Sequence, residues 1–187
     1  ATARYDGSSV FSQNNKWGVF PSFALGWKIH KEDFLNENLD VNELKLRVSY
    51  GSVGNQAISP YQTLGIANQY LYVFGGETNV GYLPGTDLPN PNLRWETSTT
   101  LNAGLDFGFF KNTLTGSIEV YNTKTTDLLV NRTVAGSLGY NTTTYNIGET
   151  KNYGTEILLS GDIIRKEDLS WNVTGTFANN KNEIIAL

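Results

Sequence analysis

The chain reads as an all-β protein, an antiparallel up-and-down meander of about seven long strands forming part of a transmembrane β-barrel wall. Three observations predict this. From Arg94 to Phe110 the residues alternate, with Trp95, Thr97, Thr99, Leu101, Ala103, Leu105, Phe107 and Phe109 on one parity and Arg94, Glu96, Ser98, Thr100, Asn102, Gly104, Asp106 and Gly108 on the other. A period of two is a strand with one apolar and one polar face. At roughly 3.3 Å per residue this strand reaches about 50 Å, a span that soluble sheets rarely need and that a tilted strand crossing about 30 Å of hydrocarbon does need. The second observation is composition: 19 glycines, 12% aromatic residues and no cysteine in 187 residues suit pleated, half-buried surfaces and tight turns. The third is that longer and shorter connections take turns along the chain, so the longer ones gather at one end of the meander, as in outer-membrane barrels.

Ala1 to Tyr5 reads as the tail of a strand and Asp6 to Lys16 as a polar loop. The second strand carries Trp17, Val19, Phe23, Leu25, Trp27 and Ile29 on one parity; Pro21, which cannot donate to a ladder, requires a bulge, an edge or a local break. Residues 31 to 43 are acidic and irregular. Leu44, Leu46, Val48 and Tyr50 then alternate with Lys45, Arg47, Ser49 and Gly51 as a third strand. Asn55 to Leu93 shows no sustained period and is expected to be a long loop, which in a compact domain is functional or disordered. After the long strand, Lys111-Asn112 turns tightly into Leu114, Gly116, Ile118 and Val120. A polar stretch from Asn131 to Asn146 leads to a strand near 148 to 163, a short turn at Arg165 to Asp168, and a last strand carrying Leu169, Trp171, Val173 and Phe177.

Several function classes are disfavoured. A net charge of -4 with scattered Lys and Arg argues against a nucleic-acid partner. With no cysteine and only His30, neither a disulfide framework nor a thiolate or His-rich metal site is expected, and no cofactor motif stands out. Glu96, Asp106, Glu119, Asp127, Glu149 and Glu156 mostly fall on the polar parity and read as a solvated wall rather than an acid/base pair, so no enzyme is expected. No window of about 18 apolar residues exists for a membrane helix, and residues 1 to 20 lack a signal-peptide layout, which is expected of a mature chain or a fragment. Asn131-Arg132-Thr133, Asn141-Thr142-Thr143 and Asn172-Val173-Thr174 fit the glycosylation pattern, which is incidental in a bacterial outer membrane.

Aromatic residues gather near strand ends: Trp17 and Trp95 beside long loops, Trp27, Phe109, Phe110 and Trp171 beside short turns. They read as two membrane-interface girdles, the competing reading being a sandwich core. On the loops, Tyr70, Tyr72, Phe74 and Tyr82, with Tyr140 and Tyr145 in a second loop, are candidates for substrate or partner contact. Their rings can stack on sugars or pack against peptide side chains; self-packing of the loop is the other reading.

The segments Phe20-Pro21-Ser22-Phe23-Ala24-Leu25-Gly26-Trp27, Leu44 to Gly51 with Gly54-Asn55-Gln56, and Leu88-Pro89-Asn90-Pro91-Asn92-Leu93-Arg94-Trp95-Glu96-Thr97 stand in order along the chain. They are followed by Asn102-Ala103-Gly104-Leu105-Asp106-Phe107-Gly108, Tyr121-Asn122, Thr126-Asp127-Leu128-Leu129, Asn146-Ile147-Gly148, Asn152-Tyr153-Gly154-Thr155-Glu156, Trp171-Asn172 and Asn179-Asn180-Lys181-Asn182. Over nearly its whole length the chain thereby resembles the C-terminal half of the barrel of SusC/RagA-type TonB-dependent outer-membrane transporters of Bacteroidetes. The resemblance implies a barrel of about 22 strands plugged by an N-terminal domain. It also implies energising by the TonB complex, a SusD-like surface lipoprotein as partner, residence in the bacterial outer membrane, and import of oligosaccharides or peptides. Residues 1–187 read as a partial barrel domain in which the plug and the TonB-contacting segment are not found. The alternatives are a soluble carbohydrate-binding β-sandwich, which would have shorter strands with turns about every 8 to 12 residues, and a passive porin or adhesin barrel.

Overall fold

The computed structural model describes residues 1–35 and 40–187; of the acidic connection read from the sequence, residues 36–39 lie outside the described residues. Eleven strands are present among the described residues: β1 (Thr2–Gly7), β2 (Trp17–Lys28), β3 (Val41–Asn55), β4 (Ala67–Phe74), β5 (Glu77–Pro84), β6 (Glu96–Phe109), β7 (Leu114–Thr126), β8 (Leu129–Thr133), β9 (Thr142–Asn146), β10 (Glu149–Arg165) and β11 (Ser170–Ala186). Seven of them form one sheet in the order β1-β2-β3-β6-β7-β10-β11, each antiparallel to its neighbours. The remaining four make two hairpins, β4–β5 and β8–β9.

The meander of seven strands is therefore as expected, and two stretches expected to be irregular are not. The chain between Asn55 and Leu93 folds its middle into β4–β5, and the stretch from Asn131 to Asn146 contains β8–β9. Both hairpins escaped the pattern because their apolar and polar residues do not segregate by parity: Tyr70, Leu71, Tyr72, Val73 and Phe74 form an unbroken apolar run. The last strand also continues well past Phe177, to Ala186, along a polar run whose backbone is held by pairing to β10. Pro21 marks a local break: β2 pairs with β3 only from Ser22 to Lys28, and from Pro21 back to Trp17 it pairs with β1 alone.

Register assembles the faces. Trp27, Leu46, Leu105, Ile118, Ile157 and Phe177 stand in one cross-strand row, while the adjacent row on the opposite face runs Gly26, Arg47, Gly104, Glu119, Glu156 and Ala178. A slip of one residue in β3, β6, β7 or β10 would put Arg47, Asp106, Glu119 or Glu156 among the apolar side chains. Among the described residues the apolar face has no second layer over it: Trp17, Leu101 and Phe177 are 58%, 52% and 57% exposed, and the buried hydrophobics are Phe11, Phe20 and Leu93, all at the loop end. A two-layer sandwich is thus not what these residues form.

The apolar band also crosses the ladder obliquely. Phe23, Tyr50, Leu101, Asn122, Tyr153 and Lys181 share a row; on β2 the apolar parity runs beyond it to Val19 and Trp17, whereas on β11 it begins only at Phe177 and continues the other way to Val173 and Trp171. A stagger of this kind is required when strands tilted by about 45° must present a level band.

The turn end is compact. The β6–β7 turn spans Phe110 to Thr113, with Phe110, Lys111 and Asn112 at φ of 54, 56 and 61° and Thr113 N–H donating to Phe110 O at 3.1 Å. At the β2–β3 connection, His30 Nδ1 accepts Leu44 N–H at 3.2 Å and Trp27 Nε1 donates to Glu32 at 2.8 Å.

Two glycines of one outward row give opposite expectations. A Cβ on Gly116 would lie 2.5 Å from the backbone Leu158 O and 2.6 Å from the Phe107 ring, while a Cβ on Gly175 meets nothing within 4 Å. Gly116→Val should destabilise the complete receptor by about 1–3 kcal/mol through overpacking, and Gly175→Val should be neutral or stabilising because it fills open strand surface. Urea unfolding from phospholipid vesicles measures both.

Candidate functional site: a polar wall beneath an interlocked loop cap

The polar face of the sheet is organised by Arg47 on β3. Its guanidinium donates from Nε to Asp106 Oδ2 at 2.7 Å and from Nη2 to Asp106 Oδ1 at 2.8 Å, on β6, and from Nη2 to Glu119 Oε1 at 2.5 Å, on β7. The forked geometry suits the planar group and ties three adjacent strands together. Gly104 makes room for it, since a Cβ there would lie 3.0 Å from Nη2. Asn102 Nδ2 donates to the other Glu119 oxygen at 3.4 Å. Toward the loop end the wall continues in hydroxyl pairs, Ser98–Thr125 at 2.8 Å and Thr100–Thr123 at 2.9 Å.

Of the carboxylates singled out in the sequence, five have partners. Asp106 and Glu119 share Arg47, Asp127 pairs with Arg94 at 2.6 Å, Glu149 with Lys124 at 2.7 Å, and Glu96 accepts Leu129 N–H at 3.1 Å and Asn55 Nδ2 at 3.1 Å. Glu149 lies on the apolar parity of β10, outside the polar wall.

Above the wall, three long connections interlock: 8–16 between β1 and β2, 56–95 between β3 and β6, and 127–148 between β7 and β10. Their shared core is aromatic. Trp95 has Phe11 and Phe20 each at 5.4 Å between ring centroids and donates its Nε1–H to Lys16 O at 3.2 Å, and Leu93 is fully buried beside it in sequence. Ser12 Oγ donates to Pro91 O at 2.5 Å and Thr63 Oγ1 to Val10 O at 3.3 Å.

The second and third connections are joined through Thr142, Thr144 and Asn146. Leu88 N–H donates to Thr142 O at 2.8 Å, Asn141 N–H to Thr86 O at 2.8 Å, and the Thr142 hydroxyl to Asp87. Thr144 is held by Asn90 Nδ2 on its carbonyl at 2.9 Å, receives Gln62 Nε2 on its hydroxyl, and donates that hydroxyl to Asn131 at 2.5 Å. Asn146 uses its whole amide: Oδ1 accepts Arg94 N–H at 2.9 Å, and Nδ2 donates to Arg94 O at 2.8 Å and Asp127 O at 2.9 Å.

From this cap the β4–β5 hairpin projects. Tyr70, Tyr72 and Phe74 share one face of it, all exposed, Phe74 to 77%. Tyr82, opposite Gln69, points to the other face with Leu71 and Val73, so the structure brings three of the four predicted aromatics together and separates the fourth. Tyr140 is half-buried after the short turn Gly136–Leu138, and Tyr145 is exposed on β9 opposite Val130.

The strand-end aromatics divide similarly. Trp17 is exposed and stacks on Tyr5 at 4.8 Å and 5°; Trp27 meets Phe34 edge-on; Trp171 is exposed; Phe109 and Phe110 lie 6.4 Å apart at the short turn. Trp95 is engaged in the cap core.

Arg47 as the organiser of the wall, Phe11 in the cap core and the Thr142–Asn146 joint escaped the sequence reading. Arg47 and its two carboxylates shared the polar parity, which is a signal, but their meeting depends on register. The joint carried only a polar Gly- and Thr-rich composition.

Residues 1–184 match the family model described as TonB dependent receptor-like, beta-barrel. The chain belongs to the TonB-dependent receptor β-barrel family. TonB-dependent receptor P3 of Formosa agariphila is 41% identical over 186 residues, covering 100% of this chain and 18% of the relative. TonB-dependent receptor SusC of Bacteroides thetaiotaomicron is 41% identical over 194 residues, covering 100% of this chain and 19% of SusC. The RagAB peptide importer in its closed-closed state superposes with a TM-score of 0.89 at 29% identity, over 99% of this chain and 20% of that one. This receptor chain thus spans about a fifth of the length of those relatives, and its meander corresponds to a portion of a receptor barrel.

In the complete receptor, Asn146→Ala should remove three bonds of about 0.5–1.5 kcal/mol each from the joint. Amide exchange at residues 86–95 and 127–146 should accelerate by at least about tenfold while the centres of β6, β7 and β10 keep their protection. Hydrogen-exchange mass spectrometry reads this directly.

Proposed function

We propose that these residues are a section of the wall and outer rim of an outer-membrane importer, whose apolar face meets lipid and whose polar face lines the passage. The observation that carries the reading is the single-layer sheet: its apolar band is uncovered and oblique to the ladder, and its other face holds a hydrogen-bonded ion cluster that hydrocarbon would not tolerate. The bare edges of β1 and β11 are satisfied when further strands continue the sheet into a closed barrel of about 22 strands. The plug and the segment that reaches the TonB complex then belong to other parts of the receptor.

The cargo is an oligosaccharide or peptide, delivered with a SusD-like surface lipoprotein. Kinship with SusC and likeness to a peptide importer support this. Tyr70, Tyr72 and Phe74, presented together on a hairpin whose base is fixed by the cap, are the contacts favoured for cargo or lipoprotein; Tyr82, Tyr140 and Tyr145 are secondary. Trp17, Trp27, Phe109, Phe110 and Trp171 serve as interface anchors, and Trp95 holds the cap. No chemistry on the cargo is proposed, since Asp106 and Glu119 are engaged with Arg47 and the task read here is passage.

Leu105→Arg in the complete receptor should cost about 2–4 kcal/mol if the site lies near the midplane, and Asn102→Arg should be mild. Vesicle-refolding titrations measure both, and equal tolerance would overturn the wall assignment. Replacing Tyr70, Tyr72 and Phe74 together by Ala should slow growth of the parent strain on mixed oligosaccharides or on mixed peptides as sole nutrient, with the receptor level in the outer membrane unchanged.

A further inference from the structure

The apolar parity changes character at the loop ends of β7, β10 and β11. Past Val120, Ile157 and Phe177 it carries Asn122 and Lys124, then Thr155, Tyr153 and Lys151, then Asn179 and Lys181, all on the face opposite the Arg47 cluster. Lys124 and Lys151 stand directly opposite each other across the ladder, an arrangement of like charges that a sheet disfavours without an anion. Glu149 pairs with Lys124 at 2.7 Å and Glu183 with Lys181 at 2.5 Å, which leaves three lysines against two glutamates. The surplus charge is concentrated on Tyr153: Lys151 Nζ lies 5.0 Å and Lys181 Nζ 5.8 Å from the ring centroid, and its hydroxyl donates to Glu183 at 3.2 Å.

These side chains bound a surface depression, lined by Asn122, Lys151, Tyr153, Thr155, Asn179 and Lys181. Glu183 answers the Lys181 ammonium and the Tyr153 hydroxyl, while the Lys151 ammonium has no ion pair among the described residues; with the Asn122 and Asn179 amides and the Thr155 hydroxyl it supplies donors that suit a phosphate ester. Val120 also lines the depression, and Ile118, Ile157 and Phe177 follow next along the same parity, so the depression borders the apolar band. A ligand held there meets cations at one end and hydrocarbon-compatible surface at the other.

We propose that this outward patch binds the phosphate-bearing headgroup of a lipid in the leaflet at the loop end, with the lipid's acyl chains lying along the adjacent apolar band. The proposal rests on the wall reading above. Lysine suits the position because its stem lies along apolar surface while its ammonium reaches the headgroup level. A free phosphate would satisfy the cations and leave the apolar approach unused, so the lipid is the occupant that both halves of the patch favour.

The test uses the complete receptor in detergent, with dioleoyl phosphatidic acid as probe, dioleoylglycerol as the headgroup-free control, inorganic phosphate as competitor, and native mass spectrometry as readout. Phosphatidic acid should be retained and dioleoylglycerol should not. Lys151→Ala with Lys181→Ala should weaken retention about tenfold or more, the two Arg replacements should restore it, and Lys166→Ala in the β10–β11 turn should leave it unchanged. Equal retention of the two lipids, undiminished retention in the double Ala variant, or displacement by equimolar inorganic phosphate would overturn the proposal. If Leu105→Arg still destabilises the barrel while the double Ala variant retains the lipid, the patch assignment alone falls. If Leu105→Arg and Asn102→Arg are tolerated equally, the wall reading falls and the patch assignment with it.

Discussion

The constraint on which the rest depends is the backbone ladder across seven antiparallel strands held in one register. Each strand satisfies its N–H and C=O groups only through its neighbours, so the sheet forms as a unit and fixes, row by row, which side chains meet. Register is specified because the two faces differ so strongly. Ile118 between Leu105 and Ile157 belongs with apolar groups, and Glu119 between Gly104 and Glu156 belongs with Arg47. The proposed setting, apolar on one side and aqueous on the other, would reinforce the same register.

The loop end solves a different problem. Long connections cannot leave their backbone groups unpaired wherever they pack, and here they pair within hairpins and then with each other. The protein's small buried core lies in this region, around Phe11, Phe20 and Leu93 with Trp95 against them, because the sheet itself has no opposing layer to pack on. The result is a firm base, held by hydrogen bonds around Thr144 and Asn146, carrying an exposed aromatic hairpin with Tyr70, Tyr72 and Phe74 on one face, the arrangement on which the proposed contact role rests.

Charged side chains on the two faces are used according to their chemistry. On the polar wall a planar guanidinium bridges two carboxylates on neighbouring strands, with Gly104 giving it the space, so geometry is rigid and the charge largely answered. On the outward face the cations are lysines at the margin of the apolar band, flexible and partly unanswered, grouped around a tyrosine ring. The first arrangement maintains a wall; the second suits a mobile ligand.

Residue order alone determined the strand faces and the meander. Alternation over residues 94 to 110, the Lys111-Asn112 turn and the long-short rhythm of connections are local properties, and a period of two dictates face whatever the strand pairs with. It did not reveal the β4–β5 and β8–β9 hairpins, because Tyr70 to Phe74 and Thr142 to Asn146 lack segregated faces and owe their structure to pairing partners. Nor could it bring Arg47 to Asp106 and Glu119, Asn146 to Arg94, or Lys181 to the Tyr153 ring. Those meetings join residues far apart in the chain through register and loop docking, and such long-range geometry exists only once the tertiary fold has closed the distances.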